Sequence, residues 1–402
     1  MADTRKASRF IVPAAVAGVA AATIGLVPAL AASGDPDLPD ITAQQLIEKI
    51  AASDTQTLSG TFRISTDLGL PLEGLASGLA GIGGGSGDDS SSASPSTDPA
   101  QKLTELVSGT HTLRVAADGP ERQKLTLVDG SDEYSLIHNG DDVWAYDSKA
   151  NEVVHEKGAS EGPDKGSADV EKELPATPKA LADEVLKAAG DTTSITVGGT
   201  AKVAGRDAYQ LVIKPKQSGS TVESIKIAVD SATGTPLKFT LASVQGGKPV
   251  LDAGFTKVDF GKPDASTFDF KAPEGAKVTE GLDGAEKGEG AGGFGFGPDF
   301  GKDFAKGFAP GAGEGGEMNV VGEGWTTIAK IDTGADVPAK TDEAPKEIQG
   351  LLDSFGDKVS GKFGSGTVFT TKIVNALVTD DGTVYVGAVT KDALVDAANA
   401  AK

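Results

Sequence analysis

Between residues 109 and 155 turn dipeptides recur at a spacing that suits a run of short strands. Asp118-Gly119-Pro120, Asp129-Gly130, Asn139-Gly140 and Asp147-Ser148 separate the runs 112–116, 123–128, 134–138 and 143–146. Asn-Gly and Asp-Gly reach positive φ at low cost, which matches tight hairpins, so the stretch predicts an antiparallel meander in which sequential strands are neighbours. A second series follows at 194–204, 208–213, 222–229, 236–243 and 249–260, with Gly205-Arg206, Thr233-Gly234 and Gly246-Gly247 as turns. Ahead of both, Leu58, Phe62, Ile64 and Leu68 alternate with Ser59, Thr61, Arg63 and Ser65, which is a strand with one dry face.

Two helical patterns accompany these strands. Asp40 is a candidate cap for a helix whose apolar stripe is Leu46, Ile47 and Ile50, and Thr177 with Pro178 opens a second carrying Leu181, Val185 and Leu186. An acidic loop, 158–175, precedes the second. The expected fold is mainly β, of the α+β class: an antiparallel sheet of about eleven strands with two helices over one face. Alternation assigns Phe62, Ile64, Leu113, Val115, Leu125, Leu127, Leu136, Leu211, Ile213, Ile225, Ile227, Phe239 and Leu241 to the apolar side. Leu46, Ile50, Leu181 and Val185 are the residues the helices would lay against it.

The remaining segments differ in composition. Arg5, Lys6 and Arg9 precede an apolar run at 11–27, Pro28 breaks it, and Ala29-Leu30-Ala31 fits a small-residue cleavage site, so 1–32 reads as a signal peptide. An uncleaved anchor is the alternative, because the apolar stretch 11–32 approaches the length that spans a bilayer. Residues 69–100 form a Gly- and Ser-rich insertion, and 276–317 a Gly- and acid-rich linker. Within that linker Phe296, Phe300, Phe304 and Phe308 recur at helical spacing, but the surrounding Gly and Pro oppose a helix. A small α+β module, 318–402, closes the chain, with strands expected at 325–331 and 367–378, a hairpin through Asp381-Gly382 to 383–389, and helices at 345–355 and 392–401.

Several function classes are disfavoured. The 402 residues carry a formal net charge of −21 with no basic stripe in the sequence, which disfavours nucleic acid as a partner. With no cysteine there is no disulfide, thiolate metal site or cysteine nucleophile. His111, His138 and His155 form no His-x-x-x-His pair and read as surface or core residues, not metal ligands. The chain has no nucleophile elbow, phosphate loop or dinucleotide fingerprint, so the expectation is a non-enzyme without cofactor. Asp88-Asp89, Asp141-Asp142 and Asp380-Asp381 occupy turns, where aspartate serves backbone geometry.

Gly119-Pro120-Glu121-Arg122-Gln123-Lys124 through Val143-Trp144-Ala145-Tyr146-Asp147 resembles the LolA/RseB-like lipoprotein-carrier superfamily as found in exported actinobacterial members. So does the block Val203-Ala204-Gly205-Arg206-Asp207-Ala208-Tyr209-Gln210-Leu211, with Ile227-Ala228-Val229-Asp230 and Thr233-Gly234-Thr235-Pro236-Leu237. The resemblance covers roughly 41–275 and implies a curved half-barrel whose apolar face holds a lipid or lipoprotein acyl chain. It equally admits an envelope sensor or scaffold that engages a membrane protein such as an anti-sigma factor. The Gly/Ser insertion, the absent lipobox cysteine and the C-terminal module depart from the small carriers.

Overall fold

The computed structural model describes residues 35–69, 109–157, 186–187, 189–280, 318–332 and 356–401. Eleven strands follow the expected order: β1 (Thr57–Thr66), β2 (Gly109–Asp118), β3 (Arg122–Asp129), β4 (Asp132–Asn139), β5 (Asp142–Asp147), β6 (Glu152–Lys157), β7 (Thr193–Val203), β8 (Arg206–Pro215), β9 (Val222–Asp230), β10 (Pro236–Ser243) and β11 (Leu251–Asp259). They make one curved, open sheet in the order β6-β5-β4-β3-β2-β1-β11-β10-β9-β8-β7, antiparallel throughout. Two meanders, β2 to β6 and β7 to β11, are thus joined by β1, which pairs with β2 on one side and β11 on the other. The β4–β5 hairpin turns where Asn139 pairs with Asp142, and Gly140 takes the positive φ of 63° that this tight loop requires.

A twelfth strand, β12 (Lys277–Glu280), lies parallel to β6 on the outer edge. These residues fall within the stretch assigned above to the linker; four residues with one apolar side chain, beside Gly-rich sequence, give no period of two. The chain reaches that edge by leaving β11 at the sheet's centre. On the way Phe268 is buried, and the Phe270 ring lies 5.4 Å from Trp144 and 5.7 Å from Tyr146.

Helix α1 (Ala43–Ala51) has its cap two residues beyond the aspartate expected to supply it. Thr42 is the cap: its hydroxyl accepts from the Gln45 amide, and the Gln45 side chain accepts from the Thr42 amide, so two orphan donors are satisfied reciprocally. Leu46 and Ile47 then face Tyr209, Leu211 and Val229 of the sheet, with Ile50 packed alongside. Of the second expected lid helix, Leu181 and Val185 lie outside the described residues; Leu186 packs against the α1 cluster.

The C-terminal residues form a six-stranded antiparallel sheet in the order β13 (Met318–Val321), β14 (Ile328–Asp332), β18 (Thr383–Gly387), β17 (Asn375–Thr379), β16 (Gly364–Thr370) and β15 (Gly356–Gly361). Helix α2 (Lys391–Ala400) covers one face, burying Leu394 and Ala398 against Val368, Leu377 and Tyr385. Two expectations are corrected here. The stretch 325–331 opens with a 3-10 turn, Gly324–Thr326, before β14. The stretch 367–378 is two strands, broken where Thr371 folds back so that its hydroxyl donates to the Val374 carbonyl at 2.7 Å. The helix expected at 345–355, the 11–27 segment, the four spaced phenylalanines and nearly all of the 69–100 insertion lie outside the described residues.

The second sheet does not stand apart. Trp325, Ala329, Ile373, Val374 and Val386 pack against Val222, Ile225, Leu241, Val250 and Leu251 of the large sheet. Polar contacts stitch the same boundary: the Trp325 indole donates to Thr193 Oγ1 at 2.7 Å, the Ser243 hydroxyl to the Lys372 carbonyl at 2.5 Å, and Thr221 to the Ile373 carbonyl. Lys372 Nζ also reaches Asp67 at 2.6 Å.

Candidate ligand-binding face

The thirteen sheet residues picked out by alternation share one face. Cross-strand partners establish this: Phe62 pairs with Leu113 and Phe255, Leu113 with Leu127, Val115 with Leu125, Leu125 with Leu136, Phe239 with Ile227, Leu241 with Ile225, and Leu211 with Ile227. Ile64 opposes Ala253 and Ile213 opposes Ile225, which closes the set. Directly paired residues in an antiparallel ladder point to the same side, so no member faces away.

That face is divided by what lies on it. Over β7 to β9, Leu211 sits under α1, with Ile213 and Ile227 bordering both α1 and the C-terminal module. Ile225 and Leu241 are buried by the module itself. The third region holds Phe62, Ile64, Leu113 and Leu127, buried, with Val115, Leu125, Leu136 and Phe239 only partly buried against them. Among the described residues, that cluster is made of the large sheet and its flanking turns alone; it includes no residue of α1, α2 or the six-stranded sheet. Phe62 and Phe255 meet edge to face, ring centroids 5.1 Å apart, at its centre.

The ends of the face are polar and fixed. Asp230 accepts from the amides of Ala232 and Thr233 and pairs with Arg206, whose guanidinium stacks over Phe260. Burial pushes the Asp230 carboxyl up, but Arg206 and the Thr233 donors outweigh it and hold it below the usual carboxylate range. Near the module boundary the hydrogen bond from Lys372 holds the Asp67 carboxyl low. On the opposite face of the sheet, burial pushes Asp252 up, against the pull of Lys238 at 2.9 Å and Thr240.

His155, read above as a surface or core residue, is buried on that opposite face, stacked on Trp144 at 3.5 Å. Its ring nitrogens bridge Asp142 (2.7 Å) and Glu280 (2.9 Å), which ties β12 to β6. Sequence reasoning missed this contact, because Glu280 stands 125 positions away.

The described residues thus define an open, curved antiparallel sheet with a helix laid on its apolar face. No family profile matches the chain, and no curated protein matches it. Among solved structures the chain is similar to the Pseudomonas aeruginosa MucA/MucB complex at 14% identity, covering 89% of this chain and 96% of that one, with a TM-score of 0.36. It is similar to a LolA superfamily protein from Nitrosomonas europaea at 10% identity, covering 57% and 99%, TM-score 0.19. A conserved Thermus thermophilus protein gives 12% identity, 60% and 99% coverage, TM-score 0.30. Similarity at this level transfers no ligand or partner, and the functional reading rests on the chain's own geometry.

Proposed function

We propose that this is an exported, non-catalytic envelope protein that holds an apolar ligand, a lipid or lipoprotein acyl chain, against the β1 to β5 part of the apolar face. One observation carries the reading: Val115, Leu125 and Leu136 are partly exposed on a continuous apolar wall with Phe62, Leu113 and Leu127, a cluster that among the described residues includes nothing from α1 or the C-terminal module, whereas Leu211, Ile225 and Leu241 lie under those elements. Each methylene of a chain laid there contributes about 0.8 kcal/mol, so a long acyl chain has enough surface to bind. The sequence of 1–32 supports export. Among the described residues no helix is long and apolar enough to cross a membrane.

Displacement of a fluorescent fatty acid tests the proposal. Leu125→Glu and Leu136→Glu, each placing a charge on the wall, should abolish binding, whereas Lys358→Glu on exposed β15 should not. Well-folded protein with no extractable lipid and no probe binding would end the carrier reading. The sensor or scaffold reading would then stand, with the exposed edge strand β12 as a place where a partner's strand could pair.

A further inference from the structure

On the sheet face opposite the apolar wall, a cleft of about 430 Å³ opens over β1 to β4 and β11. Its construction follows from register. Lys257, Thr61, Arg114, Thr126 and Ser135 are successive partners across five strands, and Asp259, Ser59, Ala116 and Lys124 form the next rung. Its lining combines small side chains at Ser59, Thr61, Ala116, Thr126 and Ser135 with charged ones at Arg114, Lys124, Lys257, Glu133 and Asp259. A β-bulge at Thr61/Phe62 shapes the wall: a Cβ on Gly60 would meet the Lys257 carbonyl oxygen at 2.3 Å, so only glycine lets β11 come this close.

The cleft's charge runs against that of the chain. In a protein of net charge −21, the lining holds three cations, Arg114, Lys124 and Lys257, against two carboxylates, Glu133 and Asp259. Arg114 is paired with Glu133 at 2.6 Å, but Lys124 and Lys257 have no ion-pair partner among the described residues. Lys257 and Arg114 flank Thr61 on adjacent strands, which sets their backbones about 10 Å apart and leaves room for one small group between them. The buried Thr126 and Ser135 hydroxyls, hydrogen-bonded to each other at 2.9 Å, continue the rung on the other side of Arg114, next to Lys124 on β3.

We propose that this cleft binds an oxyanion group, a phosphate or a carboxylate, between Arg114, Lys124 and Lys257. A lipid headgroup and a soluble phosphate offer the same chemistry, and the test separates them. Full-length protein is titrated with inorganic phosphate at low salt, followed by amide shifts of Thr61 and Thr126, and is co-sedimented with phosphatidylglycerol and with phosphatidylcholine vesicles. Saturable phosphate binding, or sedimentation with the anionic vesicles only, supports the site when Lys124→Gln/Lys257→Gln weakens it by about tenfold or more. The first result identifies a soluble anion and the second a headgroup. Binding that the double variant leaves unchanged, or no binding of either probe, overturns the proposal. Leu125→Glu and Leu136→Glu, on the other face, should leave anion binding intact, so failure of the acyl-chain reading would not remove this one.

Discussion

The two meanders of the large sheet share one alternating pattern and differ in what that pattern is packed against. In β7 to β11, Leu211, Ile225 and Leu241 are buried beneath α1 and the C-terminal module. In β2 to β4, Val115, Leu125 and Leu136 carry the same kind of side chain and are partly buried in a cluster that, among the described residues, includes nothing from α1 or the module. Alternation therefore identifies an apolar face without saying whether it is a core or a receptacle. That distinction is made by elements distant in sequence.

Truncation should separate the halves. Trp325→Ala removes the largest side chain at the module boundary and its indole hydrogen bond to Thr193, and should cost about 3–5 kcal/mol in denaturant unfolding. Leu46→Ala under α1 should cost about 3 kcal/mol by the same measurement, since Leu46 is fully buried. Leu125→Ala should cost less than about 2 kcal/mol, because a partly exposed leucine leaves little cavity. If Leu125→Ala proves as costly as Leu46→Ala, the open half is an ordinary core and the comparison fails.

The alternating face and most turns were legible because their signals are local: Asn139-Gly140 sets its own hairpin, and Phe62 and Ile64 set their own side. The cap of α1 was misplaced because Asp40 and Thr42 are both competent, and the Thr42–Gln45 reciprocity decides between them. β16 and β17 read as one strand because Thr371, Lys372, Ile373 and Val374 contain no glycine or proline to announce the break. The roof over Ile225 was not legible at all: Trp325 and Ile373 meet it through contacts that no periodicity encodes. Nor was the oxyanion cleft, since Thr61 and Arg114 read as an ordinary solvated face until register set them beside Lys257.

Smaller effects sharpen the contrast further. Thr42→Ala should cost about 1 kcal/mol by opening the capping box, and amide exchange should speed up in the first turn of α1 alone. Two carboxylates should respond to acid in opposite senses. Asp67 is held below its ordinary value of 3.8 by Lys372, so its contribution is present above that pH and is lost as pH falls through the lower folded-state value. Because this pair is partly exposed, Lys372→Gln should cost under about 1 kcal/mol at neutral pH. Asp252 is raised by burial, so its contribution is complete below 3.8 and is lost as pH rises through its folded-state value. Unfolding curves from about pH 2 to 6 should lose the slope below 3.8 in Lys372→Gln and the slope above 3.8 in Asp252→Asn.

The placement of β1 has a consequence for how the chain reaches this state. Each meander closes through short turns, whereas β1 must find β11 from far along the chain, Ser59 pairing with Asp259 and Thr66 with Leu251. Local hairpins form early, and a long loop adds its closure entropy before its contacts repay it. The β1–β11 seam should therefore be the slow step of refolding. A chain emerging from its N-terminus can pair one edge of β1 with β2 early, but the other edge stays unpaired until β11 arrives some 190 residues later. During that interval Phe62 and Ile64 lie open to any passing hydrophobic surface, which makes the newly made chain more prone to aggregation than the finished one.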